Sequence, residues 1–342
     1  RKQHNLRLSQ NLLCQYAVKR CGLIDEEGFV VDSKVNDFTP LVSLINQAGI
    51  VQDQNEQLLK FQLEGAKLIH SFGDTRTAID SLLNCTKNLI EKVDTKNDLS
   101  EMLSRSLLTL VKYLQSDPKY FELSHPTLSM IMNKEIDDFS YHDGTIDQTE
   151  VLIGKLLLFS ADSSKQLAKS LYELGAWSYR WGKKLTDLEE DKFDNRIISK
   201  KDNAFTFYKL SASSYFKFLQ ISNRTGCEDV NATLRLLRLI LKHAPEMREI
   251  LEEGLSKTPT EPWKNIILQL FSRLNHPEQY VRQSISDLLC RIGRDSPQLI
   301  IFPAVAGSLT NKKDGLIFEE DNFLTTNKNN EDEEFEEFEI DD

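Results

Sequence analysis

Apolar residues recur along most of this chain every three or four positions, the spacing that places them on one face of an α-helix. Between residues 258 and 307 the period is strict. Trp263, Ile267, Leu270 and Leu274 follow a four-three-four spacing, and Val281, Ile285, Leu288 and Ile292 repeat it after a break at Asn275-His276-Pro277. Proline cannot continue a helix from its predecessor, so two helices folded against each other are predicted, one helical repeat. The same period predicts helices near Leu6–Cys21, Pro40–Ala48, Asn55–Phe72, Thr75–Val93, Leu99–Gln115, Gln148–Leu158, Ser163–Lys184, Phe205–Gln220, Val230–Leu255 with a break at Pro245, Trp263–Leu274, Gln279–Gly293 and Pro297–Ala306. Period-two alternation is almost absent, so the fold class expected is all-α.

Helices paired in sequence and stacked in series form an α-solenoid of the TPR or HEAT kind. The 34-residue TPR period is not clean, yet Ala168, Leu171, Leu174, Gly175, Trp177 and Tyr179 have the pattern of a TPR-type first helix, in which small residues let the next helix approach. The helix from Val230 carries Val230, Leu234, Leu237, Leu241 and Ala244 along one stripe and Leu236, Leu239 and Ile240 on another face. Such a helix is packed on both sides, as inside a superhelix. Residues 116–147 and 189–203 read as polar loops. From Asn311 to Asp342 the composition turns to Asn, Glu and Asp with scattered Phe, and a disordered acidic tail is expected after a helical region over 1–310.

That tail changes the meaning of the charge. The formal net charge is −11, but residues 331–342 hold nine acidic and no basic side chains, leaving 42 basic against 44 acidic elsewhere. The helical part is nearly neutral, without the basic stripe of a nucleic-acid binder. Cys14, Cys21, Cys85, Cys227 and Cys290 have neither zinc-motif nor C-x-x-C spacing. Reduced thiols, no apolar run of membrane-span length and no signal-like start give an expectation of a cytoplasmic protein, with the nucleus as a second compartment. A chain beginning at Arg1 without methionine is expected to be a piece of something longer.

The segment TPTEPWKNIILQLFSRLNHPE, with Gln269, Leu270 and Arg273 after Trp263, and Leu289, Pro297 and Pro303 further on, resembles the end of the FAT region of the phosphatidylinositol 3-kinase-related protein kinases. Within that family the wording is most similar to the serine/threonine kinase branch acting in nonsense-mediated mRNA decay. GAWSYRWGKK (175–184) and FYKLSASSYFKFL (207–219) agree with it. The resemblance is clearest over 165–307. It implies a non-catalytic scaffold that clamps and regulates a kinase domain, and holds the last repeat together through Trp263, Leu270, Phe271, Leu288 and Leu289. The partners implied are the chain's own or an associated kinase domain and, through the whole kinase, decay-complex proteins including the RNA helicase substrate. A free-standing helical-repeat adaptor without a kinase domain is the alternative.

No catalytic residues are assigned. The sequence has no G-x-G-x-x-G, His-Arg-Asp, Asp-Phe-Gly or Walker-type lysine loop. ATP and a divalent metal would belong to a kinase domain this chain does not contain. The apparent calcium loop ending at Glu150 has Phe139 and Tyr141 where carboxylates are needed, and the six histidines lack ligand spacing, so no metal site is assigned. Arg180, Lys183, Lys184 and Lys209, with Arg235 and Arg238 as second choices, have two readings. They either solvate and cap helices, or form the basic pocket for inositol hexakisphosphate that the resemblance implies. Trp177, Trp181 and Trp263 could stack single-stranded RNA, but their helical spacing favours the core, and direct nucleic-acid binding is not expected.

Overall fold

The computed structural model describes residues 56–71, 73–91, 97–121, 125–132, 147–164, 167–190, 197–222 and 226–313. The helices expected at Leu6–Cys21 and Pro40–Ala48, and residues 314–342 of the tail, lie outside them. Every regular element among the described residues is a helix: α1 (Glu56–Ser71), α2 (Thr75–Ile90), α3 (Asn97–Ser116), α4 (Pro126–Met132), α5 (Gln148–Ser163), α6 (Ala168–Glu190), α7 (Ile197–Ile221), α8 (Cys227–Lys257), α9 (Ile267–Ser272), α10 (Gln279–Asp295) and α11 (Pro297–Lys313). Short 3₁₀ turns occupy Pro118–Tyr120 and Glu261–Ile266. The chain divides between Pro262 and Trp263 into two compact units.

In the first unit α1 packs on α2, α2 on α3, and each of α4 to α7 on its successor, while α1 also meets α3, α2 meets α4, α3 meets α5, and α6 meets α8. This near-neighbour order is that of an all-α helical-repeat solenoid. Local chemistry sets the turns. Gly73, with φ 86°, leaves α1 in a conformation a Cβ would oppose, and its N–H donates to the His70 carbonyl. Asp74 then caps α2 by accepting from the Thr77 N–H at 3.2 Å.

Two devices bring the helices together. The first is glycine facing an aromatic ring of a neighbouring helix. A Cβ at Gly175 would lie 2.9 Å from the Tyr215 ring and one at Gly182 2.6 Å from Tyr208; Gly154 and Gly254 meet Trp177 and Phe216 more tightly still. The second is a series of buried hydroxyls that cross from helix to helix. Thr86 of α2 bonds Ser106 of α3, and Ser160 of α5 bonds the Ser104 carbonyl of α3 (3.0 Å) and the Ser170 hydroxyl of α6 (2.8 Å). Ser211 of α7 donates to the Gly175 carbonyl of α6 at 2.9 Å. Each hydroxyl is satisfied where it is buried, which removes the penalty of placing it there.

Several expectations are corrected in detail. The polar stretch 116–147 contains α4, whose Leu128 and Ile131 are buried. The stretch 189–203 already contains the start of α7 at Ile197. In α8 the apolar face buried most deeply is Leu236, Leu239 and Ile240, whereas Val230, Leu234 and Leu241 are only half-buried. That helix does bend near Pro245, at His243 (φ −132°, ψ 25°), because the proline ring crowds the carbonyl one turn earlier.

The second unit is simpler. Trp263 sits in the 3₁₀ turn rather than in an α-helix, and α9 ends at Ser272. Here α9 packs on α10 and α11, and α10 packs on α11. Trp263, Leu270, Leu288 and Leu289 are buried and Phe271 is half-buried. The last helix, α11, runs to Lys313 and so includes the first residues of the stretch read as a tail.

Candidate functional site

The junction of α6, α7 and α8 brings aromatic rings and cations of three helices together. It follows from sequence spacing. Tyr172 and Tyr179 lie two turns apart on α6, Tyr208 and Tyr215 two turns apart on α7, and α8 brings Arg235, Arg238 and His243 beside them. The glycine contacts fix the pairing: Gly175 faces Tyr215 and Gly182 faces Tyr208.

Arg235 is the centre of this seam. Its Nη1 donates to the Tyr215 hydroxyl at 2.6 Å, and its guanidinium lies 5.5 Å from the centre of the Tyr179 ring. Burial alone would lower its pKa, but the Tyr215, Tyr172 and Tyr179 phenols together outweigh this and the pKa is raised. Burial pushes the Tyr215 phenol far above its ordinary value, with Arg235 opposing. Burial likewise raises the Glu173 carboxyl against the pull of Lys169. Further along, Tyr208 stacks on His243 with ring centres 4.6 Å apart, Phe205 meets the same imidazole edge-on at 5.4 Å, and Tyr179 lies 6.2 Å from Tyr208. The bend in α8 falls at His243, the residue that makes the stack. Burial moves the Tyr208 phenol up to about 12, while a hydrogen bond with Thr186 works the other way.

The four cations chosen from sequence occupy a different position. Arg180, Lys184 and Lys209 are exposed and Lys183 is half-buried. The Gly182–Tyr208 pairing sets Lys209 of α7 at the same level along the helix pair as Arg180–Lys184 of α6. Lys184 lies over the Trp181 ring at 4.5 Å. The structure therefore brings these residues to one level of the α6–α7 pair, while the cation that meets the phenols of the seam is the half-buried Arg235. Its partner Tyr215 lies within the segment singled out from sequence, but no periodicity shows that a phenol will receive a guanidinium.

The tryptophans have packing roles. Trp177 and Trp263 are fully buried and Trp181 nearly so. Both Trp177 Nε1 and Trp181 Nε1 donate to one oxygen, Glu150 Oε2, each at 3.0 Å. Glu150, read as the end of an imperfect calcium loop, joins α5 to two turns of α6. Among the described residues no group of His, Cys, Asp and Glu is placed to hold a metal ion, and no helix is long and apolar enough to cross a membrane.

No family model matches the chain. It is 28% identical over 444 aligned positions, 91% of its own length, to serine/threonine-protein kinase SMG1 of Danio rerio. It is also 28% identical over 425 positions, 92% of its length, to serine/threonine-protein kinase Smg1 of Drosophila melanogaster. Serine/threonine-protein kinase TOR of Oryza sativa subsp. japonica shares 31% identity over 31% of the chain. The chain spans 12% of each of the first two relatives and 4% of the third. An alignment of 444 positions against 342 residues means that the Danio relative carries additional residues inside the matched region.

Proposed function

We infer that this chain, a homologue of a region of the SMG1 serine/threonine-protein kinases, is a non-catalytic FAT-type helical scaffold of a phosphatidylinositol 3-kinase-related kinase acting in nonsense-mediated mRNA decay. The observation that carries this reading is the match over nine-tenths of the chain to kinases of which it covers about an eighth. A long segment of a kinase that contains no kinase motif, and that folds as stacked helices, is suited to holding and regulating a catalytic domain. Repeat locks to repeat through the glycine–aromatic and hydroxyl contacts, leaving the outer helix surfaces to present a complementary shape to that domain and to the decay-complex partners of the whole kinase. The working compartment in this reading is the cytoplasm.

The test is recovery of a defined partner. The tagged 342-residue chain, mixed with an SMG1-type kinase domain, should retain it through a size-exclusion column and lower its activity toward a peptide substrate or change its salt dependence. A folded, monodisperse chain that neither retains the domain nor alters its activity would favour a free-standing helical-repeat adaptor.

A polyphosphate site at Arg180, Lys183, Lys184 and Lys209, with Arg235 and Arg238 behind them, is the second part of the proposal. Its support is the common level of Lys209 and the Arg180–Lys184 cluster along α6 and α7. Several cations from adjacent helices neutralise a compact polyanion better than one could. Inositol hexakisphosphate should raise the thermal midpoint of the chain, and Lys183→Ala/Lys209→Ala should abolish that rise; an unchanged midpoint in the parent chain counts against the site.

A further inference from the structure

The last helix of the second unit is apolar on surfaces that nothing among the described residues covers. Phe302 is 79% exposed, Ile301 60% and Leu299 40%, and Leu268 on α9, which packs on α11, is 69% exposed. Large apolar side chains exposed within one turn of a single helix, Leu299, Ile301 and Phe302, mark an interaction surface rather than chance exposure. Ile300 of the same helix faces α10 instead, 3.7 Å from the position a Cβ would take at Gly293.

We propose that this face is the docking site of the chain's own acidic tail, with Phe335 and Phe338 of the segment 331–340 as the apolar anchors. Three observations select this occupant. The first is charge. Residues 263–313 contain seven Lys and Arg against three Asp and Glu, whereas 314–342 contain one Lys against thirteen Asp and Glu. Opposite net charges attract and steer the segment, while a second copy of the unit would bring like charge against like. The second is pattern. Within the densely acidic segment 331–340 the only apolar residues besides Ile340 are two phenylalanines three positions apart, Phe335 and Phe338. The third is reach. The segment continues directly from α11, and the 21 residues from 314 to Phe335 give a covalent reach of up to about 70 Å. Phe302 lies only about 17 Å back along the helix from Lys313 at the α-helical rise. A segment tethered within that reach meets its site in an intramolecular step, which favours weak contacts over the same contacts between separate chains.

The experiment compares the full 342-residue chain with its Phe335→Ala/Phe338→Ala variant by hydrogen exchange over residues 298–306, with sedimentation to record the oligomeric state. Docking of the tail predicts exchange several-fold faster in the variant, recovery of protection when a peptide of residues 329–342 is added, and loss of protection in the parent at high salt. Equal exchange in parent and variant overturns the proposal. Protection that survives in the variant and rises with protein concentration assigns the face to a second copy instead. Phe302→Gln gives an independent reading from the other side of the contact: a Glu-specific protease should cut the tail several-fold faster in this variant than in the parent, and unchanged cleavage counts against docking.

Discussion

Glu150 shows how one side chain can decide the placement of two helices. Its single oxygen accepts from Trp177 and Trp181, so removing it takes the carboxyl acceptor from two largely buried indoles at once. Hydrogen bonds to charged groups contribute about 1.5–3 kcal/mol each, and the two here share an atom. Glu150→Ala should lower stability by roughly 2–3 kcal/mol and shift the tryptophan near-ultraviolet circular dichroism; an unchanged spectrum would mean that the indoles are held by packing alone. Trp263 is the opposite case, fully buried with no hydrogen-bond partner for its Nε1 among the described residues. Its contribution is therefore volume and apolar area, and Trp263→Ala should cost about 3–5 kcal/mol in a denaturant titration. The burial of Trp263 was legible from its four-three-four spacing. The double bond to Glu150 was not, because Glu150 lies 27 and 31 residues away in a segment whose pattern suggested only a defective metal loop.

At the level of elements, the glycines of α5, α6 and α8 and the aromatics they face act as matched surfaces. Gly254→Ala pushes a methyl group into the Phe216 ring, and overpacking of this kind costs typically 1–3 kcal/mol. The companion change Phe216→Leu should recover part of the loss, read as a thermal midpoint, whereas an additive result would show that the two residues do not meet. The α6–α7–α8 seam gives a pH dependence with a definite sign. Tyr208 titrates near 10 when unfolded and at about 12 when folded. Its stabilising contribution is complete below pH 10 and is lost as the pH rises toward 12, because the unfolded chain gives up its proton first. Alkaline unfolding followed by circular dichroism should begin in that window, and Tyr208→Phe should make it shallower. Helix existence was readable wherever three or more apolar residues kept the period, as in α2, α3 and α10. The pattern missed α4, where seven residues leave room for only two buried anchors, Leu128 and Ile131. It also missed the first turns of α7, whose residues 198–203 are largely polar.

On the scale of the whole chain, stacked helices distribute stability over many local interfaces, so damage to one repeat should spread mainly to its neighbours. The division at Pro262 and Trp263 adds a boundary to that picture. The three tryptophans fall on either side of it, Trp177 and Trp181 in the first unit and Trp263 at the start of the second. Two indoles bonded to a carboxylate and one with no acceptor among the described residues are distinct chromophores, placed without any label. A chain carrying Trp263→Phe reports by fluorescence only on the first unit, and one carrying Trp177→Phe/Trp181→Phe only on the second. Comparing the two melting curves would read directly whether the boundary is also a joint at which one part of the molecule can open while the other stays closed.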